Sequence, residues 1–327
     1  MENRQIPPEY DSIRLSTKPS AEIRYTFTPA TASPKTDPSL IVFINGLGLP
    51  QAGWTPAITK LRETSKDGLP AILTYDRFGQ GQTNDRDPND KDAADPRHAH
   101  DCISAVGDMR QLITQILNEK LGIDKTDDAR LLMVGNSIGC SLVRLYAQEH
   151  PGTVSGILFL DSTLTDSDFV SILPDPDAKD TTLELPTGVT LDDLRNAREQ
   201  IRKRFHPDVG NQEGLSRRNL LQLLPHADSP PLHTPDQPGP YITVLGHDFD
   251  VFANRTEMDM GVPAVLTQKY VNPYWDRYNQ GLSTLTSTER SKGPLQVSGA
   301  GHFIQMDNPD VVVEKIDEIL QSLRGSV

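Results

Sequence analysis

The sequence predicts an α/β fold, with a mostly parallel central sheet flanked by helices and interrupted by a helical insertion. Short apolar runs alternate with amphipathic segments along most of the 327 residues, and such alternation joins parallel strands through helical crossovers. The alternation stops between residues 163 and 240, where the chain turns polar and proline-rich over a length too great for an ordinary loop. We therefore expect a core built from residues 1–162 and 241–327, with residues 163–240 forming a cap between the sixth and seventh core strands.

Each strand is predicted from a short apolar or alternating run, and each helix from apolar positions at helical spacing. The predicted strands span residues 12–16, 22–27, 40–44, 71–75, 131–134, 154–160, 241–245 and 293–297. The predicted helices span residues 52–63, 98–119, 141–148, 191–204, 215–224, 274–285 and 309–323. No internal repeat interrupts this pattern.

The composition bears on partners and location. The formal net charge is −13 and no block of lysine and arginine stands out, so we expect neither nucleic acid nor a membrane surface as a partner. Residues 1–8 lack the apolar segment of a signal peptide, and no apolar run is long enough to span a bilayer, so a cytoplasmic location is expected. The two cysteines, Cys102 and Cys140, do not suggest a secreted disulfide framework. The oligomeric state is left open.

The most informative motif is Gly135-Asn136-Ser137-Ile138-Gly139, which follows the apolar run 131–134 and precedes a helical segment. A strand, a G-x-S-x-G turn and a helix together form the sequence signature of a nucleophile elbow. Glycine on either side leaves room where a Cβ would clash with the neighbouring strand and helix. We expect the turn to hold the Ser137 hydroxyl at the helix N-terminus, where backbone N–H groups can stabilise an oxyanion.

A serine hydroxyl needs a base to take its proton, and His302 is the candidate. It lies in the glycine-rich segment Gly299-Ala300-Gly301-His302, after the last predicted strand, from which an imidazole can reach the elbow. The other histidines fall in helices, loops or the insertion. His98 and His100 lie near acidic residues but lack a further ligand set, so we predict a solvated helix start there and no metal site.

Three aspartates are candidates for the acid that orients the histidine. Asp161 follows the predicted strand 154–160 directly, whereas Asp248 and Asp250 follow the strand 241–245. All three lie where the sites of parallel α/β sheets gather, and all keep the chain order Ser, Asp, His. We prefer Asp161 because it is tightly anchored to its strand, with Asp250 as the alternative and Asp248 behind it. An aspartate that is not the acid is expected to cap a helix or a turn.

The oxyanion needs two backbone donors. One is the N–H of Ile138, the residue after the nucleophile, and the other is expected from the glycine-containing loop after the strand 40–44. In that loop the glycines let the backbone approach a substrate, and the Leu47 N–H is the expected donor.

Four motifs occur along the chain in order: Ile44-Asn45-Gly46-Leu47-Gly48, Asp76-Arg77-Phe78-Gly79-Gln80-Gly81-Gln82-Thr83, Gly135-Asn136-Ser137-Ile138-Gly139 and Gly301-His302. Together they resemble the oxyanion loop, the D-x-x-G-x-G-x-S/T loop, the nucleophile elbow and the histidine loop of the α/β-hydrolase superfamily. The resemblance covers most of the chain outside the insertion. It implies an α/β-hydrolase fold with a cap after the sixth strand, Ser137 as nucleophile, His302 as base and a carboxylate partner.

The chain departs from the usual pattern of that superfamily at three places. Asn45 and Asn136 stand where many members carry histidine, and we place both, with Gly46, among the substrate-binding residues. Many members carry the acid after the seventh strand as G-x-x-D, but that position is Phe249 here. Since some members carry it after the sixth strand, this departure supports Asp161.

The predicted function is acyl transfer by a serine hydrolase on a small or medium, largely apolar ester, lactone or thioester. A serine nucleophile argues against the aspartate-dependent epoxide hydrolases and dehalogenases of this fold. The sequence carries no nucleotide-binding or metal-binding motif, so we expect no cofactor and only a small-molecule partner. Two alternatives stay open on the same fold: a ligand-binding receptor, and a non-hydrolytic lyase or cyclase of small-molecule biosynthesis.

The insertion is expected to choose the substrate because it would cover the pocket. Its apolar side chains can line that pocket or form a small core of the cap, and we expect the second role for most of them: Phe169, Ile172, Leu173, Leu191, Phe205 and residues 220–224.

Overall fold

The structure is a computed structural model that describes residues 10–31, 38–65, 68–178, 183–234 and 237–325. The predictions about residues 1–8 therefore lie outside the described residues.

One sheet of eight strands organises the molecule. Its strands, numbered along the chain, are β1 (Asp11–Ile13), β2 (Ile23–Thr28), β3 (Leu40–Ile44), β4 (Ala71–Tyr75), β5 (Leu131–Ser137), β6 (Val154–Ser162), β7 (Tyr241–Gly246) and β8 (Ser291–Gln296). Their spatial order is β1-β2-β4-β3-β5-β6-β7-β8. β2 is antiparallel to β1 and β4, and all pairings from β4 through β8 are parallel. The predicted mostly parallel α/β sheet is confirmed.

The strand order decides where a site can form. β3 lies between β4 and β5. The connection from β3 to β4 therefore runs toward one edge of the sheet, and the later strands β5 to β8 are added toward the other edge. Such a switch point opens a crevice at the carboxyl ends of the strands. The register pairs Ile44, the last residue of β3, with Gly135 of β5. The loop after β3 and the turn after β5 therefore meet at this edge.

Helices cover both faces of the sheet. They are α1 (Thr55–Thr64), α2 (Cys102–Leu121), α3 (Ile138–Glu149), α4 (Leu191–Phe205), α5 (Leu220–Leu223), α6 (Phe249–Met260), α7 (Asn272–Ser283), α8 (Ile304–Asp307) and α9 (Pro309–Arg324). A helical turn, Ala264–Leu266, and a π-helical turn, Thr267–Val271, lead into α7. Side chains of β3 alternate between the two faces: Leu40, Val42 and Ile44 pack with α2 and α3, and Ile41 and Phe43 pack with α1 and α9. Every residue of β3 is therefore buried, which explains its unbroken apolar run.

The described parts of the insertion between β6 and β7 contain α4, α5 and one short strand. Thr190 and Asp193 cap α4 reciprocally, and this helix buries Leu194, Ala197 and Ile201 at helical spacing. The strand Leu215–Ser216 pairs with His100–Asp101 of the core. The predicted helix over residues 215–224 was therefore wrong in its first half, because backbone pairing with the core competes with helix formation there.

The fold adds one helix to those predicted and shortens another. No element was predicted over residues 249–260, which form α6, and the Asp248 side chain caps the N-terminus of that helix. The helix predicted from residue 98 begins at Cys102, because Asp101 accepts a hydrogen bond from the Ser104 N–H and acts as its N-cap. Cys102 and Cys140 are both buried and free. Among the described helices, none is long and apolar enough to cross a membrane.

Candidate active site

Ser137 lies at the tip of the sharp turn between β5 and α3. Its backbone has φ 57° and ψ −123°, in a region that non-glycine residues avoid. An ideal Cβ on Gly135 would lie 2.8 Å from the Cys140 nitrogen, and one on Gly139 would lie 2.3 Å from the Ile44 carbonyl oxygen. Both flanking glycines are therefore required sterically, as the G-x-S-x-G motif predicts.

His302 and Asp161 are brought together from the ends of β8 and β6. The His302 Nδ1 lies 2.6 Å from Oδ2 of Asp161. Asp161 itself has φ 45° and is fully buried. A carboxylate only accepts hydrogen bonds, so Nδ1 of His302 carries the proton and its Nε2 is left as the acceptor. Ser137 and His302 line the same cavity.

Asp161 is charged despite its burial. Burial alone would raise the pKa of this carboxyl, but the charge of His247 and hydrogen bonds from His247 and His302 outweigh it and lower the pKa to about 2. The acid partner of His302 is therefore an anion at neutral pH.

His247 also contacts Asp161, a role that no sequence motif predicted. Its Nδ1 lies 2.8 Å from Oδ1 of Asp161, and its main-chain N–H donates to the same oxygen at 3.2 Å. Its Nε2 lies 3.2 Å from Oδ1 of Asn272. The available signal was its position directly after β7, at the same edge of the sheet as Asp161. A single sequence does not reveal which side chains of neighbouring loops pair.

The two alternative aspartates have other partners in the structure. Asp248 accepts hydrogen bonds from the main-chain N–H groups of Asp250, Val251 and Gly299, which makes it the N-cap of α6. The exposed Asp250 accepts from the side chain of Gln268. Among the three candidates, Asp161 is the one that the described contacts place beside His302.

The loop after β3 lies close to the nucleophile, and hydrogen bonds from Arg77 hold its backbone in place. An ideal Cβ on Gly46 would lie 3.4 Å from the Ser137 Cβ, and Gly46, Leu47 and Ile138 line the cavity with Ser137. Arg77 donates to the carbonyls of Asn45 and Gly46, at 2.9 and 3.0 Å. The motif Asp76–Thr83 thus supports the loop that was predicted to supply an oxyanion donor.

A residue of the insertion completes this support. Glu213, 2% exposed, pairs with Arg77 through Oε2 at 2.8 Å from its Nε. Oε1 of Glu213 accepts from the Gly48 N–H at 2.6 Å and from the Gln80 side chain at 2.9 Å. The insertion therefore contacts the backbone of the loop beside Ser137 directly.

Asn45 and Asn136, both predicted to bind substrate, have protein partners in the structure. The Asn45 amide is buried, donating to the Tyr75 carbonyl and accepting from Trp54 Nε1. Asn136 is fully buried and donates to the carbonyls of Leu160 and His302, each at 3.0 Å. Both amides are committed to protein hydrogen bonds. Asn136 positions the backbone of His302, and of the three predicted substrate-binding residues only Gly46 lines the cavity.

The cavity around Ser137 has a volume of about 460 Å³. Its lining is mainly apolar and aromatic, a composition typical of small-molecule sites. The insertion contributes Phe169, Ile172, Ile201, Arg204, Phe205 and Arg217. The segment after β7 contributes Phe252, Met260, Val271 and Trp275 among others, so the cover is not confined to residues 163–240. Leu173, Leu220 and Leu224 are buried within the apolar core instead, while Leu191 and Leu221 are exposed.

One group of side chains in the described residues has the composition of a metal site. Ligand atoms of Asp87, Asp90 and His100 lie within 4.8 Å of one another. Lys18 pairs with Asp87, and His100 Nδ1 lies 3.0 Å from Asp90. These carboxylates therefore already have cationic or hydrogen-bonding partners. His98 contacts the Asp208 carbonyl through Nε2 at 3.1 Å.

Comparison with known proteins gives a family match and a shared fold. The model of the family described as Alpha/beta hydrolase family matches residues 41–315. No curated protein matches the sequence. A thermophilic esterase from Thermogutta terrifontis is 15% identical with a TM-score of 0.52, and the alignment covers 96% of this chain and 99% of the esterase.

Two further solved structures with the same fold belong to enzymes of other types. An epoxide hydrolase mutant of Vigna radiata is 12% identical with a TM-score of 0.55, covering 96% of this chain and 98% of that one. A loop variant of a haloalkane dehalogenase from Bradyrhizobium elkanii is 13% identical with a TM-score of 0.55, covering 97% and 98%. At these identities the likeness shows the fold alone, so the choice among chemistries depends on the side chains of the site.

Proposed function

The chain belongs to the α/β-hydrolase family, and from that premise we propose that it is a serine hydrolase that works by acyl transfer. The observation that carries the proposal is the Asp161–His302 pair, 2.6 Å apart, in a cavity that also contains the strained Ser137. A serine stands at the elbow, where an aspartate nucleophile would be needed for epoxide or haloalkane hydrolysis through an alkyl ester. The substrate class we propose is a small or medium, largely apolar ester, lactone or thioester, in keeping with the mainly apolar cavity lining.

The proposed reaction begins with proton transfer. Nε2 of His302 takes the Ser137 proton while Asp161 holds the ring through Nδ1 and stabilises the imidazolium that forms. Oγ of Ser137 attacks the carbonyl carbon, and the oxyanion accepts hydrogen bonds from the Leu47 and Ile138 N–H groups. His302 then gives its proton to the leaving alcohol or thiol. Water, activated by the same histidine, hydrolyses the acyl-enzyme and returns Ser137 to its starting state.

We further propose that residues 163–240 act as a cap that selects the substrate. Phe169, Ile172 and Phe205 line the cavity from the insertion. Together with Phe252 and Trp275 from after β7, they leave space for an apolar acyl or alkyl group.

Labelling with a fluorophosphonate probe tests the proposed chemistry. We expect the wild-type protein to be modified at Ser137 and Ser137→Ala to remain unmodified, because only an activated serine attacks phosphorus at a useful rate. Asp161→Asn should slow labelling by roughly 10²- to 10⁴-fold, since an amide leaves His302 without its anionic partner. Asp250→Asn is the matched control and should label at the wild-type rate. A folded wild-type protein that resists the probe, or equal rates in the two aspartate variants, would contradict the proposal.

A further inference from the structure

His247 contacts Asp161 as well as His302 does. The two carboxylate oxygens are divided between the histidines: Oδ1 faces Nδ1 of His247 at 2.8 Å, and Oδ2 faces Nδ1 of His302 at 2.6 Å. His247 is 1% exposed, and its ring is stacked on Phe252 with centroids 4.0 Å apart. A second buried histidine on the acid has no role in the proposed proton transfers.

The hydrogen bonds determine the protonation state of His247. Nδ2 of Asn272 donates to the Phe249 carbonyl at 3.0 Å, and a carbonyl only accepts, so the amide oxygen of Asn272 must face His247. That oxygen also only accepts, hence the His247 Nε2 that lies 3.2 Å from it carries a hydrogen. Nδ1 of His247 faces an ionised carboxylate and carries a hydrogen too. A ring with both nitrogens protonated is an imidazolium.

The charges around the ring agree with this assignment. Asp161 on β6 and Asp248 in the same loop are the anions that face it, and His302 is the other titratable group of the cluster. The ring also contacts the neutral Asn272 and lies beside aromatic rings, among them that of Trp275, whose centroid is 5.3 Å away at an interplanar angle of 87°. Burial would lower the pKa of His247, but the charge of Asp161 and the hydrogen bonds that the ring donates to Asp161 and Asn272 outweigh it and raise the pKa.

We propose that His247 is a positioning residue, held as an imidazolium by Asp161 and Asn272, that shares the triad carboxylate with His302 and offsets its negative charge. This inference rests on the proposed function in one respect, that Asp161 is the acid of the triad. Because the carboxylate already has a cationic partner, it holds a proton on His302 less strongly than an unpaired carboxylate would.

The protonation state can be measured without any enzymatic activity. Long-range ¹H–¹⁵N NMR correlation on ¹⁵N-histidine-labelled protein distinguishes an imidazolium, with both nitrogens protonated, from either neutral tautomer. We expect one buried histidine of the wild-type protein to remain an imidazolium at pH 7 and above, and its signals to be missing in His247→Gln. A neutral His247 at pH 7 would overturn the inference, whatever the outcome of labelling at Ser137.

The effect on the site is measured by the pH dependence of fluorophosphonate labelling. In His247→Gln, Asp161 keeps a hydrogen-bond donor but loses its cation, so the acidic limb of the rate profile should move to higher pH by about one unit. His150→Gln, at the far end of α3 from Ser137, is the control and should leave the profile in place. An unshifted profile in folded His247→Gln would overturn the proposal. Absence of labelling in the wild-type protein would instead count against the proposed function, and the NMR measurement would still decide the charge.

Discussion

At the scale of single residues, the site depends on two positions with a strained backbone. Ser137 and Asp161 both adopt a positive φ, at the ends of the adjacent strands β5 and β6. Such backbone strain persists only where the surrounding structure fixes it. The strained backbone of Ser137 is held in place by close packing around it, which the flanking glycines allow. Gly139 in particular lets the start of α3 approach the end of β3.

Gly139→Ala tests this close approach. The added Cβ would lie 2.3 Å from the Ile44 carbonyl oxygen, so α3 and β3 must separate and the free energy of unfolding should fall by about 2–3 kcal/mol. Labelling of Ser137 should slow at the same time. Gly107→Ala in the interior of α2 meets nothing within 4 Å, and there alanine should stabilise the protein by roughly 0.5–1 kcal/mol. Urea unfolding of the two variants compares them directly, and equal stability would contradict the steric explanation.

The same scale shows what a single sequence can reveal about a site. Ser137 and His302 were identified because local motifs mark them, and Asp161 was preferred because it ends a buried strand. His247 carried no such mark, since its role comes from Asn272 and Asp161 in distant parts of the chain. Asn136 lies inside the motif, but its donation to the His302 carbonyl depends on a loop 166 residues away.

At the scale of elements, burial explains which predictions were confirmed. β3 and β4 begin and end where predicted because all their residues are buried and their apolar runs are unbroken. α6 was missed because Ala253 is the one fully buried residue of a helix that otherwise faces the cavity or solvent, which leaves little helical periodicity to detect. The pairing of Leu215–Ser216 with the core was missed because it joins segments more than 100 residues apart.

Glu213 connects the insertion to the loop after β3, and Glu213→Gln tests that connection. The two carboxylate oxygens of Glu213 accept hydrogen bonds from the Gly48 N–H, Gln80 and Arg77, whereas an amide has a single acceptor oxygen. The substitution also leaves the Arg77 cation buried without an anion. Loss of a buried partner typically costs about 3–5 kcal/mol. We expect a lower melting temperature and, because the loop carrying Leu47 is released, labelling of Ser137 slowed about tenfold or more.

Asn219→Ala is the matched control for that change. Asn219 also joins the insertion to the core, but its 2.7 Å hydrogen bond is to Asp101, the N-cap of α2, and not to the loop after β3. Its removal should lower the melting temperature slightly and leave the labelling rate unchanged. If Glu213→Gln labels as fast as Asn219→Ala, the insertion contributes to stability alone and not to the geometry of the site.

At the scale of the whole molecule, the site is assembled from loops that span most of the chain. The loops after β3, β5, β6, β7 and β8 all end at one edge of the sheet, and the insertion and the segment after β7 cover that edge. Folding therefore has to bring a buried anion and a buried cation, Asp161 and His247, together from different loops. Because folding changes the pKa values of both residues, the free energy of unfolding of the whole molecule depends on pH in a way that reports on this pair.

The urea midpoint of the wild-type protein, compared with that of His247→Gln, should depend on pH in a defined direction. Folding lowers the pKa of Asp161 to about 2, so its contribution is present above the unfolded value of about 4 and is lost as the pH falls toward 2. Folding raises the pKa of His247, so its contribution is complete below the unfolded value of about 6.5 and is lost as the pH rises through the folded pKa. The stability advantage of the wild-type protein over His247→Gln should therefore be largest between about pH 4 and 6.5.

Urea unfolding of both proteins at pH 5, 7 and 9 measures this difference in stability. The formal net charge of −13 changes little between the two proteins, so its effect cancels in the difference. A difference that grows with pH would show that His247 is neutral when folded and would remove the cation from the site.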